Sequence, residues 1–313
     1  MSKTGGPSAA FRGGANVLVW CLWGHKGEIT LRVRFYGVRG SCPCSGERYR
    51  RYGGNTACVT VEVGDEPPIV LDLGTGLRPL GHDLDARYGI DRPVEVSAFL
   101  THLHWDHIIG LPFCTPLLRD GCGMDVYGPP QEDGDLHALI DRVVKPPFFP
   151  VQMKELKGGI HFHEVSDDAV AVGSAKVLVR RVPHVGTTLG FRIDAEGSSL
   201  AYVSDHQAPD DRGTVDKSVL ELCDGADLVI HDAQYTEDEF RAKATWGHST
   251  IAYAVHVAAE AGGRCLALFH HDPQHGDDFL DRLLDEAKAD VDAGRLDAVI
   301  SAEEGLVVDL GRP

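Results

Sequence analysis

The sequence predicts an α+β protein in which two β-sheets pack against each other and carry helices on their outer faces. From residue 31 onward short apolar runs alternate with turns, and several runs are continuous enough to be strands buried on both faces. Other segments carry apolar residues at every third or fourth position, which is the spacing of amphipathic helices. Strands followed by mixed strand and helix units occur twice along the chain, and this order favours two packed sheets.

The predicted elements follow from these two patterns, taken in chain order. Strands are expected where apolar runs are bounded by turn residues, at 31–37, 57–63, 68–72, 95–100, 160–165, 170–182, 188–194, 199–203, 227–231, 265–269 and 296–300. Helices are expected where the apolar period lengthens, at about 75–88, 131–143, 216–223, 249–261 and 276–291.

We expect residues 31–313 to form one domain and residues 1–30 to be a loosely ordered extension. The chain has 313 residues, of which 43% are hydrophobic, so it can fill a sizeable core. We find no repeat, low-complexity tract or linker in it. The apolar stretch at 15–23 is too short to cross a bilayer and lacks a convincing cleavage site, so we expect no membrane attachment.

Charge and cysteine usage narrow the function classes. The net charge of −17 argues against a nucleic-acid partner, because tight binding to RNA or DNA normally relies on a basic surface. A small anion remains compatible, since bound divalent cations can make one pocket locally positive. The eight cysteines form no CxxC pairs, so we expect no disulfide framework, and a reducing cytoplasm fits best.

The segment THLHWDHIIG, residues 101–110, is the strongest chemical signal in the chain. His102 and His104 follow an apolar run, and a two-residue spacing in extended chain points both imidazoles the same way, as ligation of one cation requires. Asp106 and His107 come after the chain turns, so they face a second position close by. The segment predicts one metal ion and is compatible with two, and the alternative is a solvated polar loop.

Further metal ligands are expected at the carboxyl ends of other apolar strands. His184 ends one such run, Asp205 follows a second and His270 follows a third. Each strand would deliver its residue to the sheet edge that carries His102. Any one of the three alone is more typical of a hydrogen-bonded residue, but beside the histidine cluster all three are favoured as ligands.

These motifs resemble those of metallo-β-lactamase-fold hydrolases, in the branch that is similar to ribonuclease Z. The resemblance rests on HxHxDH at 102–107 with its downstream partners, on the strand-turn at 72–76, on His-Asp-Ala at 231–233 and on GHST at 247–250. It covers roughly residues 31–313. It implies a four-layer αββα sandwich of the metallo-β-lactamase type and a metal-dependent phosphodiester hydrolase.

The resemblance also implies how the ligands are shared between two divalent metal ions. One ion would be held by His102, His104 and His184, the other by Asp106, His107 and His270, with Asp205 bridging them. Asp106 would in addition orient the attacking water. Zinc is the expected metal, with manganese as the alternative.

His248 is the candidate that assists the leaving oxygen, with Asp232 as the acid beside it. Imidazole has an unperturbed pKa of about 6.5 and can carry a proton when an acid lies next to it. Relatives of ribonuclease Z typically have Glu where this chain has Asp232, which changes the reach of the carboxylate. In the alternative interpretation His248 only precedes a helix that Ser249 and Thr250 cap.

A closer similarity points to the substrate. The runs 36–41, 52–56 and 268–273, together with Trp105 inside the histidine motif, are similar to bacterial and phage cyclic-nucleotide phosphodiesterases of the anti-Pycsar type. This implies that a homodimer hydrolyses a 3′,5′-cyclic nucleotide to a nucleoside 5′-monophosphate. Trp105 and Phe113 could line a base pocket or be buried under the metal loop, and Arg39 could hold a phosphate or form a structural ion pair.

Three alternatives remain: a ribonuclease Z-like tRNA endonuclease, a hydrolase of another cyclic phosphate, and a catalytically silent nucleotide-binding protein. Ribonuclease Z binds tRNA through a protruding arm. Only 20 residues separate His184 from Asp205 here, and they are predicted to be two strands joined by a turn near 196–197, which leaves no room for that arm.

Overall fold

Two mixed β-sheets pack face to face between outer layers of helices, which confirms the predicted four-layer sandwich. The computed structural model describes residues 18–20, 29–291 and 296–311. Most of the predicted extension at 1–30 therefore lies outside the described residues, although Leu18–Trp20 form a strand and Ile29 and Thr30 begin the next one.

The first sheet has eight strands among the described residues, in the order β1-β15-β2-β3-β4-β5-β6-β7. Their bounds are β1 Leu18–Trp20, β2 Ile29–Gly37, β3 Cys58–Glu62, β4 Ile69–Leu71, β5 Glu95–Phe99, β6 Gly123–Gly128, β7 Gly159–Glu164 and β15 Val307–Gly311. The strands β4 to β7 are mutually parallel, so their carboxyl ends lie at one edge.

The second sheet has seven strands in the part of the chain that is described, in the order β14-β13-β12-β11-β10-β9-β8. Their bounds are β8 Ala169–Val172, β9 Ala175–Val182, β10 Thr188–Ala195, β11 Ser198–Val203, β12 Leu228–Asp232, β13 Cys265–Phe269 and β14 Ala298–Ser301. The strands β11 to β14 are parallel, and β9 points the same way because two antiparallel pairings separate it from β11.

Seven α-helices accompany the sheets in the described residues. They are α1 Leu77–Tyr88, α2 Trp105–Ile108, α3 Leu136–Val143, α4 Lys217–Cys223, α5 Glu237–Lys243, α6 Ile251–Glu260 and α7 Asp277–Val291. Apolar residues of α1 and α3 pack on the outer face of the first sheet, and those of α4, α6 and α7 pack on the outer face of the second.

The central core lies between the sheets and fixes their relative position. Phe99 of β5 and Phe191 of β10 meet edge to face, with ring centroids 5.5 Å apart. Phe35 of β2 and Phe269 of β13 make a second contact across the layer at 6.1 Å. Such aromatic pairs combine large buried area with a preferred geometry. Because β5 and β13 each lead into a site residue, this packing also aligns the two halves of the site.

Several sequence predictions need correction. The strand predicted at 170–182 is two strands, because Gly173 has a φ of 53° and turns the chain between β8 and β9. The strand β6 was not predicted, since only alternate residues of it are buried. The strand β15 was missed because it contains Asp309, whose charge is matched inside the sheet by Arg32, with Nε and Oδ1 2.7 Å apart.

Helix predictions differ mainly at the starts and in the shortest elements. The helix predicted at 131–143 begins at Leu136, because the side chain of Asp135 accepts a hydrogen bond from the N–H of Ala138 and caps it there. The helices α2 and α5 were not predicted, because α2 has only four residues and α5 buries a single apolar side chain, that of Phe240. None of the helices in the described part of the chain combines the length and apolarity needed to cross a bilayer.

Candidate metal centre

Most of the predicted site residues lie at or just beyond the carboxyl ends of strands that run in the same direction. Asp72 follows β4, the histidine motif follows β5, Asp205 follows β11 and His270 follows β13. Carboxyl ends of parallel strands meet at one sheet edge, and the face-to-face packing of the two sheets brings these two edges side by side. Residues far apart in the sequence thereby converge.

The first group of donor atoms consists of three imidazole nitrogens and one carboxylate oxygen. His102 Nε2 lies 2.7 Å from His104 Nδ1, and His184 Nε2 lies 3.4 Å from the same nitrogen. Asp205 Oδ1 is 3.8 Å from Nε2 of both His102 and His184. Four potential ligand atoms thus face one point.

A second group lies on the other side of the Asp205 carboxylate. His107 Nε2 is 3.2 Å from Asp106 Oδ2 and 3.2 Å from Asp205 Oδ2. His270 Nε2 is 3.1 Å from Asp106 Oδ2 and 3.5 Å from Asp205 Oδ2. The two oxygens of Asp205 therefore face different groups, which is the arrangement that a bridging carboxylate needs.

Two buried atoms of this cluster have no hydrogen-bond partner, namely His107 Nε2 and Asp205 Oδ1. Leaving buried polar atoms unpaired costs free energy, so native structures rarely do it without a reason. Both atoms point into the donor groups. A divalent cation in each group would satisfy them, and the mixture of imidazole and carboxylate donors suits zinc and manganese.

The distal nitrogens of His102 and His107 are occupied by hydrogen bonds, which fixes the tautomer of each ring. His107 Nδ1 donates to Asp72 Oδ2 at 2.8 Å. Thr101 Oγ1 donates to Asp72 and is 3.0 Å from His102 Nδ1, so it accepts from that nitrogen. The Nε2 atoms of both rings are left with a lone pair directed at the donor groups, as metal ligation requires.

The rings of His184 and His270 are held in the same way by uncharged acceptors. His184 Nδ1 donates to the carbonyl oxygen of Gly247 at 2.6 Å, and His270 Nδ1 donates to Gln234 Oε1 at 2.8 Å. Gly247 has a φ of 96°, and a side-chain carbon on it would overlap the His184 ring. Only glycine allows this close approach without strain.

Electrostatics separate the two donor groups. Burial lowers the pKa of His102 well below its usual value, and burial likewise lowers the pKa of His184. Both rings are therefore neutral and can donate a lone pair.

Around Asp106 and Asp205 the pKa values of the histidines rise instead of falling. Burial alone would lower them, but the two carboxylates raise the pKa of His270 to about 9 and that of His107 well above its usual value. The imidazoles in turn hold the pKa of both carboxyl groups well below the usual range, although burial opposes this shift too. This half of the site favours positive charge.

His248 and Asp232 lie beside the donor groups and form a hydrogen-bonded pair. His248 Nδ1 is 3.0 Å from Asp232 Oδ2 and 3.7 Å from Asp205 Oδ1. The backbone N–H groups of His206 and Gln234 also donate to the Asp232 carboxylate, at 3.1 and 3.0 Å. The shorter Asp side chain reaches His248. His248 is also close enough to Asp205 and His270 to share a cation with them.

Sequence reasoning missed the neutral residues that orient the ligands. Gln234 accepts from His270, and its Nε2 donates to Ser41 Oγ at 3.3 Å. The N–H of Ser41 donates to Asp106 Oδ2 at 2.7 Å. Gln234 thereby connects two residues of the second group. An amide carries no charge and no ligand pattern, so only its position directly after His231-Asp232-Ala233 could have drawn attention to it.

Two open alternatives are decided by burial. Arg39 is fully buried and donates to the carbonyl oxygens of Gly53 and His275, at 2.8 and 2.7 Å, so it is structural. Trp105 and Phe113 are not buried under the metal loop, because their exposed fractions are 71% and 47%.

Comparison with known proteins gives one family and several relatives. Residues 78–271, more than half of the chain, match the family model of the beta-lactamase superfamily domain. The chain is 29% identical over 297 residues to ribonuclease Z of Natronomonas pharaonis, covering 80% of this chain and 90% of that protein. It is 28% identical over 293 residues to the uncharacterized protein Rv1339 of Mycobacterium tuberculosis, covering 90% and 93%.

Solved structures support the same fold. Human tRNase Z, short form, matches with a TM-score of 0.63 at 20% identity, covering 90% of this chain and 100% of that one. Unliganded yeast PDE1 matches with a TM-score of 0.64 at 13% identity, with the same coverage. At these identities the likeness concerns the fold alone.

Proposed function

Since the chain belongs to the beta-lactamase superfamily, we propose that this metal-dependent phosphodiester hydrolase opens a small 3′,5′-cyclic nucleotide to the nucleoside 5′-monophosphate. The observation that carries the hydrolytic reaction is the pair of donor groups that share Asp205, one oxygen to each group, and the short hairpin of β10 and β11 carries the choice of a small substrate. Two cations held by these groups would suit in-line displacement at phosphorus.

The proposed ligands follow the geometry. The first cation would be held by His102, His104 and His184 and the second by Asp106, His107 and His270, with Asp205 between them. Bound cations supply Lewis acidity, which activates water near neutral pH and neutralises charge on the phosphate. Zinc is the proposed metal and manganese the alternative.

Asp106 and His248 have separate roles in the proposal. The N–H of Ser41 and the ring of His270 hold Asp106 Oδ2, so this carboxylate is positioned to orient the attacking water. His248 is bound through Nδ1 to Asp232, which leaves Nε2 to hand a proton to the departing 3′-oxygen. The proton would then be recovered from solvent.

A small substrate fits the chain better than tRNA does. The connection from His184 to Asp205 is the hairpin of β10 and β11, with a tight turn at Glu196 and Gly197. No arm extends from this connection. The net charge of −17 also opposes a long polyanion, whereas a cyclic nucleotide presents one phosphate to the site.

The second candidate is a ribonuclease Z-like endonuclease that processes the 3′ ends of tRNA precursors. The observation in its favour is the 29% identity to an archaeal ribonuclease Z across 90% of that protein. Both reactions use the same metal chemistry, so the donor groups do not separate them. A hydrolase of another cyclic phosphate would also use this site.

One substrate panel separates these candidates. Purified protein loaded with Zn²⁺ or Mn²⁺ is incubated with cyclic AMP, cyclic GMP, cyclic CMP, cyclic UMP and a 3′-extended precursor tRNA. We expect at least one cyclic nucleotide to be opened and the tRNA to remain intact. Cleavage of the tRNA alone would overturn the proposal in favour of the endonuclease.

The control is Asp106→Ala, which removes the water-orienting carboxylate. We expect turnover of the cyclic nucleotide to be abolished while the protein stays folded. Unchanged turnover in this variant would refute the hydrolytic mechanism.

A further inference from the structure

We propose that Trp105 and Trp246, here named the tryptophan rim, bind the planar base of the substrate at the solvent opening of the metal centre. The inference rests on the proposed function and names the part of the substrate that the metal ligands do not contact. It assigns a recognition role to two residues that take no part in the chemistry.

The first observation is the exposure of the two rings. Trp105 is 71% exposed and Trp246 is 62% exposed. They are the two tryptophans for which the structure describes the side chain, and neither is in a core. Tryptophan is highly buried on average, so two exposed rings next to one site call for a binding role.

The second observation is that the metal centre is accessible to solvent at His104. Asp106, His107 and His270 are buried, whereas His104 is exposed. A substrate therefore approaches from the side of His104. Trp105 is the next residue in the chain, so its backbone borders this opening.

Trp246 borders the same opening from another loop. His104 Nδ1 is 3.4 Å from His184 Nε2, and His184 Nδ1 donates to the carbonyl of Gly247 at 2.6 Å. Gly247 directly follows Trp246. The two tryptophan backbones are thus linked through the imidazole rings of His104 and His184, and both flank the first donor group. Val185, which follows His184 in the chain, is a further exposed apolar residue, 51% accessible.

The third observation is that the ammonium group of Lys243 lies beside Trp246. Lys243 Nζ lies 5.7 Å from the centroid of the Trp246 ring and 4.5 Å from that of Tyr235, and Asp272 Oδ2 holds it at 3.1 Å. The ring of Tyr235 contacts that of His248, with centroids 5.6 Å apart. Trp246 is therefore anchored on the side of the site where the leaving oxygen is proposed to depart.

The chemistry of the substrate matches this layout. Its anionic phosphate belongs with the cations, and the ribose and base extend outward from it. Flat aromatic side chains at the opening offer the base a stacking surface that does not depend on which base it is. The rim therefore selects a phosphodiester that carries a base near the scissile bond over one that lacks it.

The experiment compares two ligands that share a ribose and a phosphate and differ only in the base, namely AMP and ribose 5-phosphate. Inhibition constants are measured against hydrolysis of bis(p-nitrophenyl) phosphate, and the binding of both ligands to the zinc-loaded full chain is measured by calorimetry. We expect Trp105→Ala and Trp246→Ala each to weaken AMP binding about tenfold, as loss of base stacking does. Binding of ribose 5-phosphate should stay unchanged.

Ile90→Ala is the matched control. Ile90 is an exposed apolar residue, 66% accessible, and it precedes β5, so it lies at the opposite end of that strand from the site. This variant should bind both ligands as the wild type does. Trp105→Phe should recover part of the AMP affinity, because a smaller ring still stacks.

Three results would overturn the inference. The tryptophan variants could weaken both ligands equally, or weaken neither. Alternatively Trp105→Ala could leave AMP binding intact and change the mass in analytical ultracentrifugation, which would make the rim a contact between two copies of the chain. Failure of the proposed function gives a different result, namely no phosphodiester turnover by the wild type while the calorimetric comparison still reports on base binding.

Discussion

At the scale of single residues, the site depends on neutral groups that fix imidazole orientation. Gln234 holds His270 through Oε1 and reaches Ser41 through Nε2. Its carbonyl decides which nitrogen of His270 keeps a lone pair. Residues of this kind are invisible to a search for metal-ligand patterns, yet they commonly change metal affinity by about 10- to 100-fold.

Replacing Gln234 by leucine tests this role. Gln234→Leu keeps a similar volume and removes the acceptor for His270 Nδ1, so we expect the metal ion of the second group, which His270 would hold, to lose affinity by about 10- to 100-fold. Zinc titration against a chelating dye measures both binding steps. Gln131→Leu is the control, because Gln131 is partly exposed and its side-chain amide donates to the carbonyl oxygen of Pro129, away from the donor groups. Equal zinc affinities in the two variants would contradict the role of Gln234.

The His248–Asp232 pair gives a second prediction at this scale. His248→Ala should lower kcat for the cyclic nucleotide by about 10²- to 10⁴-fold, since it removes the proposed proton donor, while two metal ions still bind. Asp232→Asn should lower kcat less and change the pH profile. Steady-state kinetics and metal analysis on the same samples check both points. Loss of one metal ion from His248→Ala would instead identify His248 as a ligand.

At the scale of elements, one segment serves two purposes. Thr250 caps α6 by accepting a hydrogen bond from the N–H of Tyr253 at 3.1 Å, and Ser249 Oγ donates to the carbonyl of His206 at 2.6 Å. The capping interpretation of GHST is therefore correct for its last residue. It does not exclude a catalytic role for His248, because the cap anchors the chain on which that imidazole lies.

Gly247 allows a prediction about the loop before α6. Gly247→Ala combines a positive φ of 96° with overlap on the His184 ring, so we expect it to destabilise the fold and weaken metal binding. Gly225→Ala is the control, because Gly225 has a φ of 57° and open space where the new carbon would lie. The left-handed backbone should cost Gly225→Ala about 1 kcal/mol, and Gly247→Ala should lose more, because its φ lies outside the left-handed helical region and its new carbon overlaps the His184 ring. Urea denaturation measures the difference, and equal losses would show that the loop absorbs the overlap.

At the scale of the whole molecule, the buried imidazoles determine how the stability of the fold depends on pH. Burial lowers the pKa of His102, His184, His206 and His231, and it lowers that of His271 to about 3. In the unfolded chain these rings have a pKa of about 6.5. Between those values the unfolded chain binds more protons than the folded one, so acid favours unfolding.

We therefore expect the free energy of unfolding of the protein, freed of metal by a chelator, to fall as the pH drops from about 6.5 toward 4. Each ring that stays neutral contributes a slope of up to about 1.4 kcal/mol per pH unit. His271→Gln should reduce that slope, since this ring donates to the carbonyl of Ala302 and lies outside the proposed ligand set. Chemical denaturation at several pH values is the measurement. A stability that stays constant from pH 7 to 5 would contradict the prediction.

The family prediction is confirmed by the fold and by the match to the beta-lactamase superfamily domain. The cyclic-nucleotide substrate, the anti-Pycsar similarity, the homodimer and the cytoplasmic location stay predictions. They depend on recognition surfaces and partners, which the fold and the metal ligands share with relatives of different activity.

The sequence alone determined the histidine motif, the candidate ligands and the order of most strands. Local spacing is sufficient there, because residues two positions apart in a strand face the same side. The period at which apolar residues recur also indicates which face of an element is buried. Only the tertiary structure decided that Asp205 presents one oxygen to each donor group, that Gln234 orients His270 and that Trp105 and Trp246 flank one opening. These facts depend on how distant strands are ordered and packed, and no short stretch of sequence contains that information.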